Sequence, residues 1–228
     1  MINESMSMRN SVKAIWWAML AVCACMVCAC GNATEQAHTE QVKQLPKKVV
    51  APKKKTVHVY FFDGFKDALG KNTIKELDEV FDSVEFEGVI PYPDSAYYAP
   101  RNRYKADKLV RHLKALQKGT SDLEIGFASK DISAAVHGHD DFGIMGWTRI
   151  SLKTAVVSTF RVKGANAQNR DFFKLVIHEL GHTEGLQHCK NSRTCYMRDA
   201  KGTYHLHELT DFCPTCKAHL IKRGWHLR

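Results

Sequence analysis

The most informative stretch of this chain is His178-Glu179-Leu180-Gly181-His182-Thr183-Glu184-Gly185-Leu186-Gln187-His188-Cys189. It contains the pattern HExxHxxGxxH, which predicts a helix with His178 and His182 one turn apart on one face and Glu179 beside them. Glycine accepts the positive φ that ends a helix sharply, so Gly185 lets the chain turn and bring His188 to the same point. The spacing therefore predicts one metal ion held by three imidazoles.

The chemistry of these side chains points to hydrolysis. Three histidines around a tetrahedral zinc ion leave a fourth position for water. The ion lowers the pKa of that water to about 7, and Glu179 is placed to accept its proton as the water attacks a carbonyl. We therefore predict hydrolysis of a peptide or protein substrate with Glu179 as general base. The competing hypothesis is a non-catalytic zinc- or peptide-binding lipoprotein of the cell envelope, which has no need of a carboxylate at this position.

Hydrophobic periodicity upstream of the motif predicts alternating strands and helices. Apolar, β-branched and aromatic runs indicate strands, and apolar residues spaced by three and four indicate helices. The predicted strands are 57–62, 84–92, 123–128, 143–150 and 155–162, and the predicted helices are 72–82 capped by Asn72, 104–117, 171–182 and 211–223 capped by Thr210 or Asp211. This order predicts an α+β fold in which helices pack against a mixed sheet.

Eight cysteines form two groups of four, one near each end of the chain. The C-terminal group is Cys189, Cys195 and the Cys213-Pro214-Thr215-Cys216 pair. CxxC is a common half of a structural zinc site in which four thiolates hold the ion. The alternative, in an oxidising compartment, is a pair of disulfides, Cys189–Cys195 and Cys213–Cys216. Such disulfides would be expected in an adhesion module that is stabilised by disulfide bonds.

In these motifs the sequence resembles the archaemetzincins, metzincin-clan metallopeptidases whose zinc motif runs directly into a cysteine and is followed by Cys-x-Met, here Cys195-Tyr196-Met197, and by CxxC. The resemblance extends upstream through 125–132 and 155–161 and covers 56–228. It implies a second, structural zinc ion held by the four cysteines, hence two zinc ions, and a turn at Met197 beneath the catalytic ion. It also implies a metzincin-type domain with a twisted mixed sheet, a zinc-bearing active-site helix and a small C-terminal helical subdomain. The cysteine spacings depart slightly from the family's usual ones, which concerns loop geometry and not ligand identity.

The first 30 residues predict export. Arg9 and Lys13 precede a run from Ala14 to Cys30 without a charged residue, the pattern of a signal peptide. The run ends in small residues before a cysteine and resembles a bacterial lipoprotein signal with Cys30 as the lipidated residue. Cleavage before Cys25 and an uncleaved membrane anchor are the alternatives. We expect a lipid-anchored protein of the bacterial cell envelope, in the periplasm or at the outer membrane.

Residues 31–55 contain no aromatic side chain and collect lysine and proline, which predicts a flexible linker. The metallopeptidase-like domain is then expected to span 56–228. A formal charge of +9 indicates attraction to anionic surfaces, and with this signal and motif we expect no nucleic-acid partner. We expect a monomer that contacts the membrane through its lipid anchor.

Four further features carry weaker predictions. The run His137-Gly138-His139-Asp140-Asp141 offers ligands for another ion and is also typical of an exposed turn. The run His205-Leu206-His207-Glu208 is expected in a loop. Tyr196, beside Met197, is a candidate to stabilise an oxyanion. Residues 142–150 are the candidate edge strand that pairs with an extended substrate.

Overall fold

The computed structural model describes residues 54–117, 122–136, 138–163 and 168–228. The predicted signal peptide 1–30 with Cys30, the predicted linker up to residue 53, and His137 lie outside the described residues. Among the helices of the described part, none has both the length and the apolar character needed to cross a bilayer.

Strands and helices follow one another in an α+β arrangement, which confirms the predicted fold class. The strands of the described chain are β1 (Thr56–Phe62), β2 (Ser83–Ile90), β3 (Tyr97–Tyr98), β4 (Arg103–Lys105), β5 (Leu123–Ala128), β6 (Ile132–Val136), β7 (His139–Ile144), β8 (Gly146–Arg149) and β9 (Thr154–Ser158). The helices are α1 (Asp67–Asp78), α2 (Ala106–Leu116), α3 (Gln168–Thr183) and α4 (Pro214–Ile221). Strands β3, β4 and β6 are short and were not predicted.

The larger sheet has the order β2-β1-β5-β9-β8, in which β8 alone runs antiparallel to its neighbour. Its central strands are apolar almost throughout because helices cover both faces of a parallel sheet. Val57, Val59 and Phe61 of β1 face the core shared with α1 and α3, while Tyr60 and Phe62 face α2. The sheet therefore supports α3, the helix of the zinc motif, on one of its faces.

The smaller sheet has the order β3-β4-β6-β7, and only Met145 separates β7 from β8. Ile144 pairs with Ile132 in the smaller sheet, whereas Gly146 pairs with Val157 in the larger one. The prediction of one continuous strand over 143–150 is therefore wrong, because the chain changes sheets at Met145. Both resulting strands lie at the edge of their sheet.

Helix α1 begins at Asp67, five residues before the predicted cap Asn72, which lies inside the helix. The first turn is stabilised by the carboxylate of Asp67 at the positive end of the helix dipole. A Cβ on Gly70 would lie 2.0 Å from the ring of Phe61. The glycine therefore allows the helix to pack closely against β1.

Several other boundaries also differ from the predictions, and three of them have a local physical cause. Helix α2 starts at Ala106 because the residues before it pair in β4. Strand β9 ends at Ser158, whose hydroxyl accepts a hydrogen bond from the Phe160 N–H at 3.2 Å and opens a short 3₁₀ turn. Helix α4 starts at Pro214, later than the predicted 211, because proline suits a first helical turn, where its missing N–H is not needed.

Lys55, the last residue of the predicted linker, is bound to the domain. Its backbone N–H donates to Asp82 Oδ2 at 3.0 Å, and its ammonium forms an ion pair with Glu184. Glu184 is a buried residue of the zinc motif. The chain is thus attached to the domain before β1 begins.

A row of polar residues crosses the larger sheet near the start of its parallel strands. Strand register places Glu85, His58, Glu124 and Thr154 side by side. His58 Nδ1 lies 2.8 Å from Glu87 Oε1 and 3.7 Å from Glu85 Oε2. Glu124 is fully buried, and only its Oε2, which accepts from the Thr154 hydroxyl at 3.1 Å, has a hydrogen-bond partner within the described ranges. Burial raises the pKa of Glu124 to about 7.

Glu124→Gln is expected to stabilise the protein at alkaline pH. The pKa of this carboxyl rises from 4.5 to about 7 on folding, so stability falls as pH rises through that window. Because one pKa unit corresponds to about 1.4 kcal/mol, the charged group costs on the order of 3 kcal/mol at pH 8. Urea unfolding at pH 5 and pH 8 measures the effect. The variant should gain stability mainly at pH 8, and an equal change at both pH values would contradict this explanation.

Candidate metal centre and active site

Helix α3 holds the first two histidines of the motif on a rigid support. The residues that bury this helix are Phe172, Leu175, Val176, Ile177 and Leu180. Gly185 has a φ of +88°, and its N–H donates to His182 O at 2.9 Å. The Leu186 N–H donates back to Gly181 O at 3.2 Å. This left-handed turn ends the helix and directs His188 back toward it.

The three imidazoles converge on one point. The ring centroids of His178 and His182 are 4.6 Å apart, and those of His188 lie 5.5 Å and 4.9 Å from them. His178 Nε2 and His182 Nε2 are 3.1 Å apart, and one nitrogen from each histidine lies within 4.8 Å of the others. Nitrogens that each lie about 2.0–2.1 Å from one tetrahedral zinc ion are separated from one another by distances similar to these. The donor set therefore fits zinc.

Backbone carbonyls fix which nitrogen of each helical histidine is free. His178 Nδ1 lies 2.6 Å from Tyr196 O, and His182 Nδ1 lies 2.7 Å from Leu186 O. A carbonyl only accepts, so each Nδ1 carries the proton and donates it, which leaves Nε2 for a metal. Burial, reinforced by His182, lowers the pKa of His178 to about 3, and burial also lowers that of His182. Both rings are therefore neutral, the form that binds metals.

The Glu179 carboxylate lies between α3 and the edge strand β8. The Thr148 hydroxyl is 2.6 Å from Glu179 Oε2 and 3.0 Å from Glu179 O. Burial raises the pKa of Glu179 to about 7, against the opposing effect of the Thr148 hydrogen bond. A Cβ on Gly146 would lie 2.4 Å from Glu179 Oε1, so only glycine leaves room for the carboxylate. Thr148 and Gly146 were not predicted from the sequence, because only the strand register brings them to Glu179.

Met197 lies in a tight turn below α3. The turn is closed by the Arg198 N–H, which donates to Cys195 O at 2.9 Å, and Met197 O accepts from the Cys189 N–H at 2.7 Å. The Met197 side chain is fully buried, and a Cβ on Gly181 would lie 2.6 Å from its sulfur. The turn thus packs against the helix between the two helical histidines.

The four C-terminal cysteines form a second cluster. Cys189, Cys195, Cys213 and Cys216 are free thiols whose sulfurs lie within 4.8 Å of one another. Cys189 Sγ and Cys213 Sγ are 3.6 Å apart. Four thiolates about 2.3 Å from a tetrahedral zinc ion have sulfur separations of nearly 4 Å, whereas a disulfide requires about 2 Å. The arrangement of all four residues fits a zinc cage better than two local disulfides.

Backbone N–H groups also point at this cluster. The Cys213 N–H donates to Cys195 Sγ and the Asn191 N–H to Cys189 Sγ, both at 3.3 Å. Hydrogen bonds of this kind favour the thiolate form that metals require. Burial nevertheless raises the pKa of Cys195 to about 11, so a cation is needed to hold the four sulfurs as thiolates.

The remaining predicted residues do not join either metal cluster. Asp141 forms an ion pair with Lys105 at 2.7 Å, and Glu208 forms one with Arg198. Residues 206–208 form a 3₁₀ turn. The Tyr196 ring packs against Phe212 with centroids 5.1 Å apart, and it does not line the cleft beside the histidines. Tyr196 therefore contributes its backbone carbonyl to the site and not its phenol.

A cleft of about 870 Å³ opens beside the three histidines and Glu179. Strands β7 and β8 form one wall, and residues 198–206 form another. The edge strand β8 borders this cleft, within the predicted edge segment 142–150. The cleft therefore extends from an edge strand of the described sheet to Glu179.

The two sheets and the histidines that converge at the end of α3 define an α+β domain of the archaemetzincin type. The sequence model of peptidase family M54 matches residues 92–223, and the chain belongs to this family. It is 31% identical over 118 residues to an archaemetzincin of Natronomonas pharaonis, a match that covers 47% of the chain and 64% of that relative. The chain thus spans slightly less than two thirds of that relative's length.

Two further similarities cover more of the chain. An archaemetzincin of Nanoarchaeum equitans is 26% identical over 170 residues, which is 74% of this chain and 85% of the relative. The crystal structure of the Methanopyrus kandleri archaemetzincin superposes with a TM-score of 0.63 at 26% identity and covers 77% of this chain and 98% of that one. The predicted resemblance is therefore confirmed in sequence and in fold.

Proposed function

We propose that the protein is a zinc-dependent peptidase in which His178, His182 and His188 hold the catalytic ion and Glu179 is the general base. One observation carries the proposal. The Glu179 carboxylate is buried beside the three imidazoles and oriented by the Thr148 hydroxyl at 2.6 Å. A site that only bound zinc would gain nothing from a buried carboxylate held in this way, because burying the charge is unfavourable.

The side chains of the site have different roles in the proposed hydrolysis. When bound, zinc polarises the scissile carbonyl and makes a water molecule acidic. Glu179 accepts the proton of that water through Oε1, since Oε2 is engaged by Thr148, and then delivers it to the leaving amine. Burial lowers the pKa of all three histidines and keeps them neutral, against the opposing effect of the backbone carbonyls that accept from His178 and His182.

Strand β8 supports substrate binding in this proposal. It is the last strand of the larger sheet, so one side of its backbone is not paired within the described sheet. An extended peptide would add to this side and gain main-chain hydrogen bonds. Gly146 of β8 abuts the Glu179 carboxylate, so the scissile bond of such a peptide would lie beside the general base.

The four cysteines are proposed to hold a second, structural zinc ion. Their cage joins Cys189, which directly follows the ligand His188, to the α4 residues around Cys216. Met197 connects the two sites, because its carbonyl accepts from the Cys189 N–H and its side chain packs under α3. Loss of the structural ion would therefore displace His188.

Membrane attachment is proposed from the sequence of residues 1–30 alone. In this proposal Cys30 is lipidated and the protein acts as a monomer on the bacterial cell envelope, in the periplasm or at the outer membrane. Metabolic labelling with a radioactive fatty acid tests it. The wild type should take up label and fractionate with membranes, and Cys30→Ala should do neither. Labelling that persists in Cys30→Ala and is lost in Cys25→Ala would move the lipid to the alternative site.

A peptide mixture tests the proposed activity. The zinc-loaded full-length protein is incubated with the mixture, and the products are identified by mass spectrometry. New termini should appear, and removal of zinc by a chelator should prevent them. Binding of peptides without cleavage under zinc-loaded conditions would favour the non-catalytic lipoprotein instead.

Thr148→Val is expected to lower kcat by roughly ten- to a hundredfold while KM and zinc content stay the same. The reason is that the carboxylate loses the hydroxyl that orients it, and a charge-assisted hydrogen bond contributes about 1.5–3 kcal/mol. Thr148→Ser is the matched control, because it keeps the hydroxyl and should retain most of the activity. Equal losses in both variants would show that Thr148 only packs against α3.

A further inference from the structure

The cleft beside Glu179 is lined by more cations than anions. Its cationic lining residues are Arg101, Arg103, Arg161, Lys163, Arg198 and Lys201. Its acidic lining residues are Asp141, Glu179 and Asp199. A concave surface with an excess of one charge concentrates ligands of the opposite charge.

Two of these cations, Arg103 and Arg161, share one carboxylate, and we call them the arginine pair. Arg161 is fixed by two hydrogen bonds to Asp131, from Nε to Oδ1 and from Nη2 to Oδ2, both at 2.9 Å. Arg103 Nε lies 3.1 Å from the same Oδ2. The second carboxylate near Arg103 is Asp141, which is already paired with Lys105 at 2.7 Å. Three cations, Arg103, Arg161 and Lys105, thus lie against the two carboxylates of Asp131 and Asp141.

Arg103 has donor capacity that its surroundings do not use. Its side chain is 91% buried, yet Nε has no well-aligned hydrogen-bond partner among the described residues. Asp131 Oδ2 accepts from Arg161 Nη2 at 2.9 Å, and although Arg103 Nε lies 3.1 Å from the same oxygen, the two do not form a hydrogen bond. A buried guanidinium with an unmet donor favours binding of an additional acceptor, and a carboxylate matches its geometry.

The arginine pair lies within reach of a substrate bound at Glu179. A Cβ on Gly143 would lie 2.2 Å from Arg161 Nη2, and one on Gly146 would lie 2.4 Å from Glu179 Oε1. These glycines are three positions apart in the chain, and three residues of extended chain span at most roughly 10 Å. A residue two or three positions from the scissile bond of an extended peptide can therefore reach Arg161.

We propose that the cleft contains a carboxylate-binding subsite at the arginine pair, so that peptides with an acidic group two or three residues from the cleaved bond are selected. This inference rests on the proposed peptidase function for the position of the scissile bond. The carboxylate is either an aspartate or glutamate side chain or the C-terminus of the peptide. Lys163 at the rim has no acidic partner among the described residues, and its ammonium lies 5.8 Å from the Tyr204 ring, so it adds to the attraction.

Peptide binding to zinc-loaded full-length Glu179→Gln tests the subsite without requiring turnover. The probes are fluorescent peptides that carry glutamate or glutamine at each of three positions on either side of a central bond. A second series ends in a free carboxylate or in an amide, which distinguishes a side chain from a C-terminus. Dissociation constants are measured by fluorescence anisotropy at low and high salt.

We expect peptides with the acidic group at the favoured position to bind about tenfold more tightly than their neutral counterparts. This ratio of dissociation constants should be smaller at high salt. Adding Arg161→Gln should reduce the ratio below about threefold. Lys163→Gln is a second cleft variant that does not depend on the Asp131 pairing, and it should lower the ratio less. Lys71→Gln on α1 removes an exposed charge away from the cleft and is the matched control, which should leave the ratio unchanged.

Three results would overturn the subsite. They are equal binding of acidic and neutral peptides at every position, an acidic preference that survives both cleft variants, and no binding of any probe. The proposed activity is judged separately on the wild type. Cleavage without acidic preference would keep the peptidase and refute the subsite, whereas selective binding without cleavage would keep the subsite and refute the peptidase.

Discussion

Glu179→Gln abolishes peptide hydrolysis in our account while both zinc ions stay bound. The amide has the size of the carboxylate and still accepts from the Thr148 hydroxyl, but it cannot take a proton from water. General base catalysis contributes roughly 10²–10⁴-fold, and the same group also returns the proton to the leaving amine. We therefore expect kcat to fall by about a thousandfold or more. Hydrolysis rates and zinc content measured on the same preparation check this result.

Glu79→Gln is the matched control for this substitution. It removes an exposed carboxylate at the C-terminal end of α1 and does not touch the cleft. Its activity should equal that of the wild type. A Glu179→Gln variant with more than about a tenth of the wild-type kcat would assign the proton transfer to another group.

Cys213→Ser combined with Cys216→Ser removes one zinc ion and destabilises the C-terminal half of the domain. The cysteines are free thiols gathered within 4.8 Å, and binding of a structural zinc ion contributes directly to folding free energy. We expect zinc per chain to fall from two to one and unfolding to require several kcal/mol less. Activity should fall too, because Cys189 adjoins the ligand His188.

Thiol counting separates the cage from the disulfide alternative. Under denaturing conditions with a chelator, the mature wild type should show four reactive thiols from this cluster. His182→Ala is the complementary variant, because it should lose the other zinc ion and keep all four thiols protected before denaturation. Oxidised cysteines and a single zinc ion in the wild type would replace the cage with disulfides and leave the histidine site unchanged.

The histidine site was predictable because its geometry is local. The residues from His178 to His188 are separated by helical spacing and one glycine turn, so their relation depends on dihedral preferences alone. Helix α2 and the buried strands were also predictable from local sequence, because their own apolar patterns define them. The structure groups Cys189 and Cys195 with the distant CxxC, an arrangement the sequence suggested only through the family resemblance.

Features that depend on strand register were not predictable. Gly146 and Thr148 reach Glu179 only because β8 is the edge strand beside α3, and nothing in their own sequence context indicates this. The segment around Met145, where the chain changes sheets, also looks like one continuous strand in the sequence. The start of α1 was misplaced because Asn72, taken as its cap, lies inside the helix.

Zinc dependence is tested by measuring peptide hydrolysis by the metal-free full-length protein as zinc is added back. We expect no hydrolysis without metal, full recovery by about two equivalents of zinc in the wild type, and no recovery in Glu179→Gln. Hydrolysis that persists without metal, or that zinc restores equally in Glu179→Gln, would contradict a zinc-dependent reaction at the three histidines.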